Sequence, residues 1–268
     1  MSDLTQALSD TGTITWRNVT RLRRQPDSIV FGIIQSIMFV LLFAFVFGGA
    51  IAVPGGGDYT DYLMGGIFVQ TVAFTCATTC IAMADDLSRG LFDRFRSLPM
   101  ARSAVLAGRT FADLAFAGVT TAAMALTGLL VGWRTDASAL SVLAGFALLA
   151  LFAYSFLWIG AVIGLSVRSV EVAQTAGLIW LFPLTFLSNA FVPLESMPTW
   201  LQPIAAWNPI SAVTAAIREL FGNTPTNYVP PAYWPLENPQ LASVLWCLVL
   251  LMIFVPLGVS RYRRAASR

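Results

Sequence analysis

LSVLAGFALLALFAYSFLWIGAVIGLSV, residues 140–167, runs without a single Asp, Glu, Lys or Arg. A helix of this length rises 1.5 Å per residue and outruns a hydrocarbon core roughly 30 Å thick. Comparable apolar runs lie on both sides of it: Ser28 to Phe47, Tyr62 to Ala84, Ala104 to Val131, Val172 to Phe191, and Leu241 to Val259. Six such runs predict an all-α polytopic membrane protein, with residues 1–268 forming one transmembrane domain. Composition agrees. Of the 268 residues, 57% are hydrophobic and only 11% charged, and the mean hydropathy is +0.72, outside the range of a soluble domain.

The 16 basic residues are all arginines, and the chain has no lysine and no histidine. A Walker A loop needs its lysine on the phosphates, a zinc protease its histidines, and a serine or cysteine hydrolase a histidine base. These chemistries are excluded, and the expectation is a non-enzyme without a metal site. Cys76, Cys80 and Cys247 lie in apolar stretches, the first two one helical turn apart, and read as small packing residues. Ala50-Ile51-Ala52 mimics a signal-peptidase site, but the preceding apolar run exceeds a signal core, so it is expected to stay as the first span.

Orientation follows from the arginines, which stay on the cytoplasmic side during insertion. Arg17, Arg21, Arg23 and Arg24 precede the first span; Arg89, Arg94, Arg96 and Arg102 follow the second; Arg168 follows the fourth; Arg261, Arg263, Arg264 and Arg268 follow the sixth. Arg134 and Arg218 fall on the other side. Both termini are therefore predicted to be cytoplasmic in a bacterial plasma membrane, with loop 85–102 inside and segment 192–239 outside. Over residues 13–25, Trp16, Val19 and Leu22 oppose Arg17, Arg21 and Arg24, which predicts an interfacial amphipathic helix ended by Gln25-Pro26.

Two connections carry candidate function. In the loop from Asp85, the residues Leu87, Leu91, Phe95 and Leu98 form one helical face, while Asp85, Asp86, Arg89, Asp93 and Arg96 cluster opposite, and Pro99 stops the helix. Such a helix fits a groove on a soluble partner; a solvated or lipid-bound connector is the alternative. In segment 192–239 the prolines break the apolar run into short helices, anchored at the outer interface by Trp200 and Trp207, that either cap or gate the bundle. Within the spans, Gln35, Gln70, Thr71, Thr75, Thr78, Thr79, Gln174 and Asn189 are polar, and Phe68, Phe74, Trp180 and Phe182 are aromatic. They either line a pathway or bond neighbouring helices. Arg109 and Asp113, one turn apart, are expected to form a local ion pair.

The stretch Phe186-Leu187-Ser188-Asn189-Ala190-Phe191-Val192-Pro193-Leu194-Glu195-Ser196-Met197-Pro198-Thr199-Trp200-Leu201, followed by Trp207-Asn208-Pro209 and Arg218, resembles the signature after the fifth span of the type-2 ABC-transporter permease family, daunorubicin-resistance branch. Arg89 to Met100 is similar to that family's cytosolic loop, with Leu91 where threonine is usual and Asp93 for glutamate. The resemblance implies a coupling helix over Asp85 to Met100, using Asp86, Leu87, Gly90, Leu91, Asp93, Arg94, Phe95, Arg96 and Pro99, seated on a separate ATPase that binds ATP and Mg. Two ATPase copies and a second permease, identical or related, would complete the assembly. It also implies re-entrant outer helices between spans five and six, with Pro193, Met197, Pro198, Trp200, Asn208 and Pro209 as an outer gate. The function implied is export of hydrophobic or amphipathic compounds, drugs or lipids; from their polar or aromatic character within the spans, Phe68, Thr71, Phe74, Thr75, Trp180, Phe182 and Asn189 are the expected pathway residues. No cofactor in the chain and no nucleic-acid partner are expected; an ATPase-independent carrier or membrane scaffold is the competing reading.

Overall fold

The computed structural model describes residues 11–18, 20, 26–47, 56, 59–90, 102–224 and 228–265, with backbone alone for 26–29, 47, 102–105 and 264–265. The described residues form helices joined by turns, without strands. A short helix, α1, covers residues 11–18. It is followed by α2 (Pro26–Leu42), which runs into a π-helical turn at Phe43–Phe47, then α3 (Tyr59–Ser88), α4 (Arg102–Val131) and α5 (Ala139–Gly164). Next come α6 (Val170–Leu178), α7 (Leu181–Phe186), a 3₁₀ turn at Leu194–Ser196, α8 (Gln202–Ala206), α9 (Pro209–Phe221), α10 (Trp234–Glu237) and α11 (Pro239–Ala265). Four helices are long and apolar enough to cross a membrane, Tyr59–Ser88, Leu106–Val131, Ala139–Gly164 and Pro239–Arg263, while Val30–Val46 and Val170–Phe186 are shorter apolar helices.

The centre of the bundle is α3, buried nearly throughout from Tyr59 to Ala84. It packs most extensively against α5, and the reason is legible in Gly160-Ala161-Val162-Ile163-Gly164. A Cβ at Gly160 would strike the carbonyl of Cys76, and one at Gly164 the carbonyl of Cys80, so the two backbones touch where side chains would keep them apart. A Cβ at Gly177 of α6 would come within 3.2 Å of the Ala77 Cα, a tight contact though not an overlap. On the other flank α2 packs on α4.

Arg109, Arg261 and Arg263 share one end of the bundle with α1. There Ile14 is buried with Met83, Leu106, Trp158, Leu165 and Tyr262. We call this the basic end. The side of α1 buried against the bundle is Ile14 and Asn18, whereas Trp16 is 71% exposed, free to meet the membrane interface; Val19 and Leu22 lie outside the described side chains.

Two expected boundaries change. The fifth span, expected as one helix over 172–191, is broken into α6 and α7 with a turn at Ile179 and Trp180, and residues 187–192 are non-helical. Pro183 causes the break, because it has no N–H to give the carbonyl of Ile179 and its ring crowds that carbonyl. The second span extends to Ser88, so Asp85, Asp86 and Leu87 belong to α3 rather than to a separate loop helix. The chain then turns at Gly90, which takes φ 63°, a left-handed stop that favours glycine. Leu91, Asp93, Arg94, Phe95, Arg96 and Pro99 lie outside the described residues.

At the opposite end, α9 buries Ile210, Val213, Ile217 and Phe221. It packs against α11, α5 and α3 instead of resting on the surface. Asn208 caps its start, Pro209 occupies the first turn where a missing N–H costs nothing, and Gly222 at φ 73° ends it. Trp200 and Trp207 stay 70% and 54% exposed.

Candidate functional site

Between α2, α3, α4 and α6 lies a cavity of about 560 Å³, within the range of pockets that hold small organic molecules. Its walls are Phe31, Phe39, Phe74 and Phe116 on the apolar side, and Gln35, Gln70, Thr71, Thr75 and Thr78 on the polar side. Asp85, Asp86, Arg109 and Asp113 close its basic end. Two of the α3 threonines on this wall bond within their own helix. Thr75 Oγ1 donates to the Val72 carbonyl at 2.6 Å and Thr78 Oγ1 to the Thr75 carbonyl at 2.7 Å. Gln70 differs: it is buried, and its Oε1 has no hydrogen-bond partner.

The structure brings Thr71, Phe74 and Thr75 together on this wall and sends the other expected pathway residues elsewhere. Phe68 sits in an aromatic cluster with Trp133, Phe146 and Phe221, at centroid distances of 5.3, 6.1 and 5.8 Å. Trp180 stacks on Phe156. Phe182 meets Phe74 edge-on at 5.3 Å and is half exposed. Asn189 belongs to a different network at the opposite end.

At the basic end one guanidinium joins two helices. Arg109 Nε donates to both carboxylate oxygens of Asp113 at 3.2 Å, and its Nη1 to Asp86 Oδ2 at 3.2 Å. Thr79 Oγ1 donates to Asp113 Oδ2 at 2.8 Å. All three charged side chains are mostly buried, between 13% and 19% exposed. The expected Arg109–Asp113 pair is therefore part of a larger set. Asp86, expected on an outward charged face, turns inward because α3 continues past it and places it against α4. Leu87 packs on the Ile14 and Tyr262 cluster. Asp85 pairs with the exposed Arg89 at 2.8 Å, a contact that water and salt leave with little weight.

At the opposite end, Arg218 of α9 is buried and, among the described residues, forms no ion pair with a carboxylate. Its Nε donates to the Tyr62 carbonyl at 2.8 Å, Nη1 to the Asn189 carbonyl at 3.1 Å and Nη2 to the Ala190 carbonyl at 3.0 Å. The guanidinium carbon also lies 3.5 Å from the Tyr62 ring centroid, a cation–π contact strengthened by desolvation. Tyr228, in the segment after α9, is pushed up to about 12, chiefly by burial, so it stays neutral and adds no counter-charge. Gly66 lets this junction close, since a Cβ there would overlap the Ala190 carbonyl. The expected gate residues frame the junction. Asn208 Nδ2 donates to the carbonyls of Leu184 and Leu187 at 2.6 and 2.7 Å, while its Oδ1 accepts from the Ile210 N–H at 2.8 Å. One side chain thus ends α7 and starts α9. The Met197 carbonyl accepts from Gln202 Nε2 at 3.0 Å, and the Pro198 carbonyl from the Leu201 N–H at 2.8 Å. The Pro193 carbonyl accepts from Ser196, and Trp200 stands in the open.

Sequence reasoning missed the clamp at Arg218, the reach of Arg109 to Asp86, and the glycine contact of α3 with α5. The last had a signal, the small-xxx-small spacing of Gly160 and Gly164. The clamp had half of one, an arginine placed on the apolar stripe of α9.

Comparison with known proteins bears on what these parts serve. A daunorubicin resistance ABC transporter permease protein of Streptomyces coeruleorubidus is 33% identical over 257 residues, covering 96% of this chain and 87% of that protein. A Mycobacterium tuberculosis protein named "Probable doxorubicin resistance ABC transporter permease protein" is 27% identical over 263 residues, covering 94% of this chain and 88% of its own length. The ABC-2 type transporter family matches residues 9–221, which takes in the cavity, the Arg109 set and the Arg218 clamp, and the chain belongs to that family.

Proposed function

We propose that this chain is the non-catalytic, membrane-spanning permease subunit of an ATP-driven exporter, crossing a bacterial plasma membrane six times with both termini in the cytoplasm. The gathering of Arg109, Arg261 and Arg263 at one end supports that orientation. The first crossing is α2 with its π turn. The fifth is the broken pair α6 and α7, whose 170–186 length of about 25 Å is completed by the turn that meets Arg218.

The observation that carries the reading is the position of Asp86. It lies just before α3 ends and leads into residues 91–100, and it holds Arg109, which holds Asp113, which accepts from Thr79. A push on the 91–100 segment by a partner is thereby delivered to α3 and α4 together, the helices on either side of the cavity. In this reading two ATPase subunits bind ATP and Mg, close on each other, and bias the permease between two arrangements of its helices. A second permease copy, identical or related, supplies the other half. Hydrophobic or amphipathic compounds, anthracycline-like drugs or lipids, are the cargo; the aromatic walls and the names of the relatives support this choice.

The test is to purify the tagged permease from native membranes and identify its companions, then to replace Leu91 and Phe95 by Asp together. Co-purification of an ATPase in about equal amount is expected, with the double substitution abolishing ATP-dependent export while the permease still reaches the membrane. Export that continues without ATP, or is indifferent to both substitutions, refutes the exporter reading in favour of a carrier.

A further inference from the structure

We propose that a cleft between α4 and α5 is a site for one phospholipid, its acyl tail laid along α4 from Leu114 to Leu129 and its ethanolamine headgroup held at Arg134, Asp61 and Asp136. The cleft shares no residue with the cavity beside α2, and the site does not depend on what the chain transports.

The cleft has a volume of about 500 Å³. Gly118, Ala122 and Ala125 of α4 and Ala150 and Ala153 of α5 have side chains too short to fill the space between their helices, and Val72 of α3 closes it from within. Both flanking helices are long and apolar enough to cross a membrane, which puts the cleft at hydrocarbon depth. Thr121 is the one polar residue on its wall, and its hydroxyl is spent on the Ala117 carbonyl at 2.7 Å. A water would find no partners there, so the occupant is hydrocarbon. A helix of a second copy, about 10–12 Å across, rests over such a cleft and cannot enter between two helices that touch each other. A single methylene chain can. From Leu114 to Leu129 the α4 wall rises about 22 Å, room for an extended tail.

Charge at the end of the cleft opposite the basic end selects the headgroup. Arg134 is exposed, and its Nη1 donates at 2.7 Å to the carbonyl of Leu129, the last α4 residue on the wall, and at 2.8 Å to that of Trp133. Its Nε and Nη2 donate to no described residue. The Arg134 N–H donates to Asp61 Oδ1 at 3.2 Å, and the exposed Asp136 stands two residues further on. One guanidinium and two carboxylates thus meet where the tail would enter. A phosphate pairs with the guanidinium, but an anionic headgroup brings nothing for the carboxylates. An ethanolamine headgroup brings both a phosphate and an ammonium with three N–H donors.

The experiment uses the full chain in detergent, stripped of native lipid and offered dioleoyl phosphatidylethanolamine or dioleoyl phosphatidylglycerol, with retained lipid counted by native mass spectrometry. One ethanolamine lipid per chain is expected, and little of the glycerol lipid. Ala122→Phe fills the cleft from its exposed wall and should abolish retention, while Arg134→Gln should weaken it about tenfold. Retention indifferent to Ala122→Phe means annular lipid only and overturns the proposal, as does equal retention of the two lipids. A dimer without retained lipid that Ala122→Phe dissociates gives the cleft to a second copy, and overturns it too. A second measurement does not depend on filling the cleft. The native cysteines are buried, so Ala122→Cys places a reactive thiol in the cleft and Leu143→Cys places one on the exposed face of α5 outside it. Phosphatidylethanolamine should slow maleimide labelling several-fold at position 122 and leave position 143 unchanged; equal slowing at both overturns the site.

Discussion

Replacing Arg218 by Met should unlock the end of the bundle opposite the arginine-rich termini. The guanidinium makes three hydrogen bonds, at 2.8, 3.1 and 3.0 Å, to carbonyls on α3 and on the turn after α7. Charged donors contribute about 1.5–3 kcal/mol each, and a desolvated cation–π contact about 2 kcal/mol. Against this stands the cost of keeping a cation out of water, several kcal/mol, which the Met variant no longer bears. The carbonyls do not all lose everything either, since the Tyr62 hydroxyl still donates to Asn189 at 3.3 Å. The balance is a loss of about 3 kcal/mol. For a chain of this size that lowers Tm by roughly 6–12 °C. The assay is thermal unfolding in detergent, followed by a thiol-reactive dye, because Cys76, Cys80 and Cys247 are buried and report the bundle opening. Arg218→Lys should fall between Met and native, as one ammonium cannot reach three carbonyls in a fixed fork. A Met variant with native Tm refutes the assignment of Arg218 as the clamp; a Lys variant as stable as native shows that charge alone suffices.

The glycines give a paired test. Gly66→Ala drives a methyl into the Ala190 carbonyl and should cost roughly 3 kcal/mol by displacing the turn that Arg218 holds, whereas Gly118→Ala, with nothing within 4 Å, should be neutral or stabilising by up to about 1 kcal/mol; equal effects would show that the close approach at Gly66 is unimportant. Asn208→Ala removes one helix cap and two bonds to α7, and should lower stability by about 2–3 kcal/mol, read as a fall in Tm. Arg109→Met leaves the Asp86 and Asp113 carboxylates facing each other in a buried place and should cost about 3–5 kcal/mol. Adding Asp113→Asn should recover part of that loss in a double-mutant cycle, and strict additivity would deny the coupling.

The long apolar helices were legible because hydrocarbon thickness and composition constrain them from within the sequence. Leu140–Val167 needed no knowledge of its neighbours, and the helix stops within three residues of the expected end at each side. The fifth span reads as continuous from its apolar length alone, whereas Pro183 withholds an N–H from the Ile179 carbonyl and splits it into two helices. The extension of α3 through Ser88 is hidden in the sequence for another reason. The charges at Asp85 and Asp86 resembled the start of a surface helix, and only Arg109, 23 residues away on another helix, makes Asp86 an inward residue. Resemblance supplied what local pattern could not, the significance of the 186–209 stretch, but not its chemistry: the carbonyls of Asn189 and Ala190, which every residue possesses, do the binding.

The polar residues of α3 are ambiguous in the sequence for the same reason. A threonine in a membrane helix reads the same whether it bonds its own backbone, a neighbouring helix or a ligand, and the choice is made by what lies opposite. Thr79 faces Asp113 and is spent on it; Thr75 and Thr78 face the cavity and fold back on their own helix. Gln70 has a longer side chain on the same wall and is buried with its Oε1 unpartnered. On the opposite side of α3, Cys76 and Cys80 present backbone to Gly160 and Gly164 with no side chain between. One helix thus carries a face that permits only close, fixed packing and a face that borders the cavity, and the cavity sits on the second because the first leaves it no room.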